Sequence, residues 1–422
     1  MFSAINRKVK RFVLRQQKKR PLVLISDTTL RDGAQMHGVR LDPAGKVAIA
    51  RALAEAGVHS IDCGFPAAGD AEREGVRRIA ASVRGPVLSA LSRTHRADID
   101  LAADVLSAVS PLKRAITLFI GTSPLHRRHK HEMTKAQIIK TAVDAVTYAQ
   151  NAFEIISFGP EDASRTEPDF LYEVYEAAIQ AGALSIGFTD TVGILTPTKA
   201  ADMVKRIQDN VPSMDDAMLG VHFHNDLGLA TANSLACVQA GANIVQGTIN
   251  GIGERAGNTP LEEVVMALTL HEEEFGKKVT VDPHALSSLC TLVAKFSGFC
   301  PSSNKAIAGR NIFLTEAGIH QDGILQNPLT YLPFPPEAIG AEPVKLILGR
   351  NSGRNAVRHH MAATGLDITE QHVELVLNYL KGRPHDPADY PEINGFLDKL
   401  RPFLSDEHLP QPAEATEERQ VG

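Results

Sequence analysis

The sequence predicts an α/β protein, a (β/α)8 TIM barrel followed by a small, mainly helical C-terminal region. Two observations carry that prediction. Eight short β-rich runs lie between Leu22 and Thr248, and enough chain separates each from the next for a helix. Polar residues suited to chemistry gather just after the C-terminal ends of those runs, where such barrels place their sites. An open doubly wound sheet is the alternative, but no GxGxxG follows the first run.

The runs are Leu22–Ser26, Ser60–Cys63, Val87–Leu91, Ala115–Ile120, Phe153–Phe158, Leu184–Phe188, Met218–Phe223 and Ile244–Thr248. Between the first two, Asp42 can cap a helix and Pro43 can open it. Val47, Ala50, Leu53 and Ala54 then form an apolar face, and Gly57 closes the helix. Short strands alternating with amphipathic helices imply a parallel sheet, and eight such units over about 250 residues imply closure. Beyond them, Leu286, Leu289, Val293 and Phe296 fall at helical spacing, and Pro301-Ser302-Ser303-Asn304 reads as a linker. The predicted organisation is a basic arm (1–20), a barrel (21–285), a linker with helical subdomains (286–400) and a disordered Pro- and Glu-rich tail (401–422).

Composition narrows the function. The 422 residues are 43% hydrophobic and 22% charged, ordinary for a globular protein with a sizeable core. A net charge of -5 argues against a nucleic-acid partner. No apolar run approaches the ~20 residues of a membrane span. Cys63, Cys237, Cys290 and Cys300 lie far apart, which fits neither a disulfide framework nor a zinc knuckle. A cytoplasmic enzyme is expected. The arm holding Arg7, Lys8, Lys10, Arg11, Arg15, Lys18, Lys19 and Arg20 has no acid; it reads as a solvated tail, with a targeting peptide or membrane-surface helix as alternatives.

The most informative pair is His222 and His224, with a single residue between them at the end of the seventh run. Residues two apart on a strand face the same side, so the two imidazoles can serve one metal ion. Two surface histidines would give the same spacing. The rim adds Asp27 to Asp32 after strand one and Gly64-Phe65-Pro66 after strand two. Arg93 and His95 follow strand three, and Glu161 follows strand five. Asp190-Thr191 follows strand six and Asn250 to Asn258 follows strand eight. A basic run, His126-Arg127-Arg128-His129-Lys130-His131, is either a solvated face or an attractor of phosphates.

Several long motifs resemble one family. Asp27-Thr28-Thr29-Leu30-Arg31-Asp32-Gly33, His222-Phe223-His224-Asn225-Asp226-Leu227-Gly228, Asn250 to Asn258 and Gly318-Ile319-His320-Gln321-Asp322-Gly323 are similar to the isopropylmalate synthase and homocitrate synthase group. These are DRE-TIM metallolyases, acetyl-CoA-dependent Claisen-condensing enzymes. The resemblance runs from about Leu22 to about Leu380. Phe119 to Ser123, Glu161 to Thr166 and Leu348 to Arg354 are closest to the isopropylmalate synthases.

The resemblance implies a set of roles. Asp32, His222 and His224 would hold a divalent Mg, Mn or Zn ion, with Asn258 as a fourth ligand. Arg31 would stabilise the developing alkoxide, and Thr191 would bind the carboxylate of a 2-oxo acid. His320, Tyr331 and Glu161 would act as acid/base groups toward acetyl-CoA, His320 being delivered across a homodimer to a shared active site. Glu254 and Arg255 are expected to pair with each other and shape their loop. The resemblance does not extend to the large C-terminal domain through which leucine inhibits the long members.

Substrate identity rests on departures from the pattern. Homocitrate synthases carry arginine four residues before the strand-five glutamate, where it meets the distal carboxylate of 2-oxoglutarate. This chain has Ser157 there, and isopropylmalate synthases usually have glutamate. Ala34 replaces a usual glutamate, and His37 a small residue. A small aliphatic acid such as 2-oxoisovalerate is expected, unless His95 or His37 supplies the missing cation. A homocitrate synthase or a specialised synthase using another 2-oxo acid is the alternative. An inactive structural or regulatory homologue is the remote one.

Overall fold

The computed structural model describes residues 7–362 and 369–382; the predicted disordered tail lies outside them. The chain divides into two compact units, Met1–Gly309 and Arg310–Gly422. In the first, eight parallel strands close into a barrel in sequential order, with β1 paired to both β2 and β8. The strands are β1 Leu24–Asp27, β2 Ser60–Asp62, β3 Val87–Arg93, β4 Arg114–Gly121, β5 Ile155–Glu161, β6 Ser185–Asp190, β7 Met218–Phe223 and β8 Ile244–Gly247. Each falls on a predicted run. Arg93, Glu161 and Asp190 close their strands rather than follow them, which fixes them more firmly than loop positions would.

The helices pack on the outer faces of the strands, as the patterning requires. The one between β1 and β2, α2 (Pro43–Glu55), is capped by Asp42, whose side chain accepts from the Gly45 N–H at 2.6 Å. Its buried face differs from the predicted one. Lys46, Ile49, Ala50 and Leu53 are buried, while Val47 and Ala54 are only half-buried. The reason is electrostatic: Lys46 Nζ donates to Glu72 at 2.6 Å, and Glu72 also accepts from the Phe65 N–H at 3.0 Å. A buried lysine with an ionic partner turns the helix toward it. Gly64 must be glycine beneath this pair, because a Cβ there would collide with the Glu72 carboxylate.

The basic arm is not a solvated tail. It forms a helix, α1 (Arg7–Lys18), docked beneath the N-terminal ends of the strands. Asp216 receives Arg11 at 3.0 Å and Arg15 at 2.7 Å, Lys10 pairs with Glu154, and Lys18 Nζ donates to the Met214 carbonyl at 2.7 Å. Leu14 is buried. Partner acids explain the charge that looked unpaired in the sequence. Among the described residues, no helix is long and apolar enough to cross a membrane.

Packing inside the barrel is unusual. In β3, β5 and β6 the residues facing the helices are buried, whereas those facing the barrel axis stay partly accessible. A (β/α)8 barrel normally fills its axis with layers of bulky side chains. Here Ser89, Ser157, Gly159, Ser185, Gly187 and Gly220 face a cavity of about 750 Å³.

The second unit holds a two-stranded parallel sheet, Leu314–Thr315 with Lys345–Leu346. Helices Arg354–Ala362 and Glu370–Gly382 share an apolar core of Leu348, Val357, Met361, Val373, Val376 and Leu377. Buried Gln321 ties the unit together, donating to the carbonyls of Thr315 and Ile347.

Replacing Lys46 by methionine keeps the aliphatic stem but leaves Glu72 without its cation. We expect a loss of about 1–3 kcal/mol in urea unfolding, and a larger loss for Glu72→Gln, whose one amide oxygen cannot serve both Phe65 and Lys46 and which leaves the more deeply buried charge unpaired. An unchanged unfolding midpoint for Lys46→Met would overturn this account of the helix face.

Candidate active site

The turn after β1 is built to return its side chains over the barrel mouth. Asp27 accepts from the Thr29 N–H and hydroxyl at 2.9 and 2.7 Å, and the Asp32 N–H donates to the Thr28 carbonyl at 2.9 Å. Arg31 and Asp32 are thereby presented at the rim. From β7, His222 and His224 arrive on the same side, ring centroids 5.1 Å apart. One donor atom from each of Asp32, His222 and His224 lies within 4.8 Å of the other two, and all three residues are buried.

The surroundings prepare these groups as ligands. The His222 Nδ1 sits 2.8 Å from the Gln246 side-chain oxygen, so it carries the proton and leaves Nε2, 3.5 Å from Asp32, free. Burial pushes the His222 imidazole down to about 3, against the pull of Asp32. His224 is lowered by burial in the same way. Burial alone would raise the Asp32 carboxyl, but Arg31, the two histidines and the Asn258 amide together hold it well below the usual range. Asn258 is brought in by a bridge to His224 and donates to Asp32 at 3.0 Å. Its own side-chain oxygen and His224 Nδ1 are buried without hydrogen-bond partners. Two neutral imidazoles, a carboxylate and unsatisfied donor atoms form a set that suits a divalent cation. Gly253 makes room for the Asn258 side chain, whose amide a Cβ there would strike.

A model of the HMGL-like family matches residues 22–293, and one described as homocitrate synthase post-HMGL domain-like matches residues 307–385. The chain belongs to the HMGL-like family. It is 43% identical over 384 residues to the 2-isopropylmalate synthase of Heliobacterium modesticaldum, covering 90% of this chain and 75% of that one. With the 2-isopropylmalate synthase of Pyrococcus abyssi it shares 42% identity over 359 residues, 85% of this chain and 74% of the relative. Among solved structures, hydroxymethylglutaryl-CoA lyase from Pseudomonas aeruginosa has the same fold, with a TM-score of 0.59 at 19% identity over 70% of this chain and 98% of that one.

The other members of the predicted set fall in both units of the chain. Glu161, Ser157 and Thr191 line the cavity with the metal-type donors. Glu161 accepts from Lys130 at 2.6 Å, and the Thr191 hydroxyl accepts from the Asp162 N–H at 2.9 Å. His95 and His37 are exposed, and neither lines the cavity. His320 and Tyr331 belong to the second unit, where both are exposed and their rings stack at 4.3 Å. Arg255 does not pair with Glu254 as expected. It forms a two-point ion pair with Asp226 at 2.8 and 2.9 Å and donates to the Thr191 carbonyl, because the positive φ at Arg255 turns it toward that loop. In the basic run, Arg127 clasps Glu167 and Lys130 holds Glu161, which leaves Arg128 and His129 outermost.

Sequence reasoning missed two residues. Asp62, the last residue of β2, accepts from Arg31 Nε at 2.8 Å while Arg31 Nη1 donates to Asp32 at 2.7 Å. The guanidinium is thus fixed by two carboxylates. Gln246 stands directly beside His222 in the β7–β8 register. An acid ending a strand, and an amide in register with a predicted ligand, were the available signals.

Two outcomes follow for metal binding, measured by calorimetry with Mn²⁺. Gln246→Leu frees the His222 ring and should weaken affinity roughly ten- to a hundredfold, whereas His222→Ala should abolish it. With the His222 imidazole held down to about 3, protons do not compete for it as pH falls, and at His224, which burial also lowers, they compete less than at an ordinary histidine. Affinity should therefore change less than about tenfold between pH 7.5 and 5.5. Two ordinary histidines titrating near 6.5 would lose roughly a hundredfold, and a loss of that size would refute the depressed values.

Proposed function

We propose that the protein is an acyltransferase that condenses acetyl-CoA with a 2-oxo acid, 2-oxoisovalerate being preferred over 2-oxoglutarate. The observation that carries this reading is the buried set Asp32, His222 and His224 with Arg31 locked beside it, in a chain more than 40% identical to 2-isopropylmalate synthases. The three residues, with Asn258 as a fourth ligand, would hold Mg, Mn or Zn, which supplies Lewis acidity and a fixed pole for a chelating 2-oxo acid.

The chain's own residues do the remaining work. Arg31 is aimed at the rim by Asp32 and Asp62, and it meets the negative charge that develops on the keto oxygen during attack. Preorganised charge of this kind needs no rearrangement at the moment of reaction. Thr191 is assigned to the 2-oxo acid and Ser157 to its side chain, whereas His95, which does not line the cavity, is left without a part. Glu161, His320 and Tyr331 are assigned to removing a proton from the acetyl methyl and returning one to the product. Water then cleaves the thioester and free CoA leaves.

The assignment of His320 and Tyr331 makes the active form a cytoplasmic homodimer in which one chain completes the site of its partner. Family resemblance supports this, as does the surface around His320, where Ile319 is 79% and Leu329 58% exposed. Apolar side chains presented beside a general base suit an interface.

Thiol release from acetyl-CoA with Mn²⁺ present tests the activity. With 2-oxoisovalerate it should exceed that with 2-oxoglutarate by roughly ten- to a hundredfold in kcat/KM, because a distal carboxylate beside Ser157 finds no cation. A preference for 2-oxoglutarate would reject the substrate assignment, and silence with every 2-oxo acid would reject the activity. Mixing His222→Ala with His320→Ala chains should restore turnover. No recovery in demonstrated heterodimers would reject the shared site.

A further inference from the structure

The barrel axis is open from the rim to α1. The same cavity that touches Asp32, His222 and Glu161 at the strands' C-terminal ends also touches the first residues of three strands, Val87, Ile155 and Met218, and then Val13 and Leu14 of α1. From Met218 to His222, and from Ile155 to Glu161, strand rise and barrel tilt give a depth of roughly 10–15 Å. A volume of about 750 Å³ falls among sites that hold drug-sized molecules. It is more than the short branch of 2-oxoisovalerate fills.

Three glycines keep the shaft open without any backbone reason to be glycine. Gly159, Gly187 and Gly220 lie inside strands, face the axis and do not have positive φ. An added Cβ would meet its nearest neighbour at 3.9, 3.6 and 3.5 Å respectively, which is ordinary contact. Glycine inside a strand weakens it, and its usual justifications are a bulge, a bend, or the close approach of a ligand or backbone. No left-handed conformation and no blocking neighbour accounts for these three, so space for a ligand remains. The ends of the shaft differ in character. The rim is polar and charged; at the floor Leu24, Val87, Met218, Ile244 and the apolar side of α1 supply most of the surface, with Lys10, Gln17, His59, Ser60 and Glu154 at its edge.

We propose that the 2-oxo acid used by this enzyme carries an extended, largely apolar side chain that descends through the barrel to α1, with Gly159, Gly187 and Gly220 as the residues that admit it. The proposal rests on the condensing activity above and adds the substrate class. A carboxylate and keto oxygen anchored at the rim leave the third substituent of the keto carbon facing the shaft. There it exchanges water for an apolar floor, so specificity is set by length.

A series of straight-chain acids, from 2-oxobutanoate through 2-oxohexanoate to 2-oxooctanoate, tests this with Mn²⁺ and acetyl-CoA. We expect kcat/KM to rise by up to about fourfold per methylene, leaving 2-oxooctanoate at least tenfold above 2-oxoisovalerate. Gly187→Val or Gly220→Val should reduce the ratio of 2-oxooctanoate to 2-oxobutanoate turnover more than tenfold. A readout independent of turnover is available because the chain has no tryptophan. Val13→Trp places one at the floor, and its emission should respond saturably to 2-oxooctanoate but not to 2-oxobutanoate. CoA release with short acids only, with a silent Val13→Trp reporter, overturns the proposal while leaving the condensing activity intact. No CoA release with any acid overturns both.

Discussion

A buried carboxylate must be surrounded by compensating charge, and at Asp32 that requirement organises the rim. Arg31 comes from the same turn, His222 from β7 and Asn258 from the loop after β8, and each reaches Asp32 within hydrogen-bonding or near-contact distance. Arg31 in turn needs Asp62 at the end of β2. Strands that neighbour one another only because the barrel closes are thereby tied at their C-terminal ends. Arg31 is the cation of this set and the others bring dipoles, so removing Arg31 would strand the charge, and burial of an unpaired carboxylate is among the costliest defects a fold can carry.

The same arrangement explains how the rim can be both stable and reactive. Burial strips protons from the histidines, and the ion pairs keep Asp32 ionised, so the donors are ready before any ligand arrives. The cost is a concentration of polar atoms that lack partners, among them His224 Nδ1, Asn258 Oδ1 and Asp62 Oδ1. Orphaned atoms this close together are tolerated where a ligand completes them.

Much of this was legible in the sequence, for physical reasons. Strand order followed from β-rich runs at helix-length intervals, because parallel pairing forces a crossover of that length. His222 and His224 were legible because strand periodicity puts alternate residues on one face. What stayed hidden depends on contacts between distant segments. Asp62 and Gln246 matter only because β2 lies beside β1 and β8 beside β7. The face of α2 turned on one lysine finding Glu72, which no apolar count contains. An open axis was also invisible, since serine and glycine in a strand carry no sign of which way they point until closure assigns the inside.

The docking of α1 has a consequence for the order in which this protein is assembled. Its helix is synthesised before any strand of the barrel, yet Glu154 lies 144 residues beyond Lys10, and Asp216 lies 201 residues beyond Arg15. During translation the basic segment must therefore wait: Glu154 reaches Lys10 only after four of the eight strands have emerged, and Asp216 reaches Arg11 and Arg15 only after six. Contacts of such sequence separation form late, because loop closure must come first. An element early in the chain is in this way among the last to be seated, and the barrel acquires its floor only after it has acquired its walls.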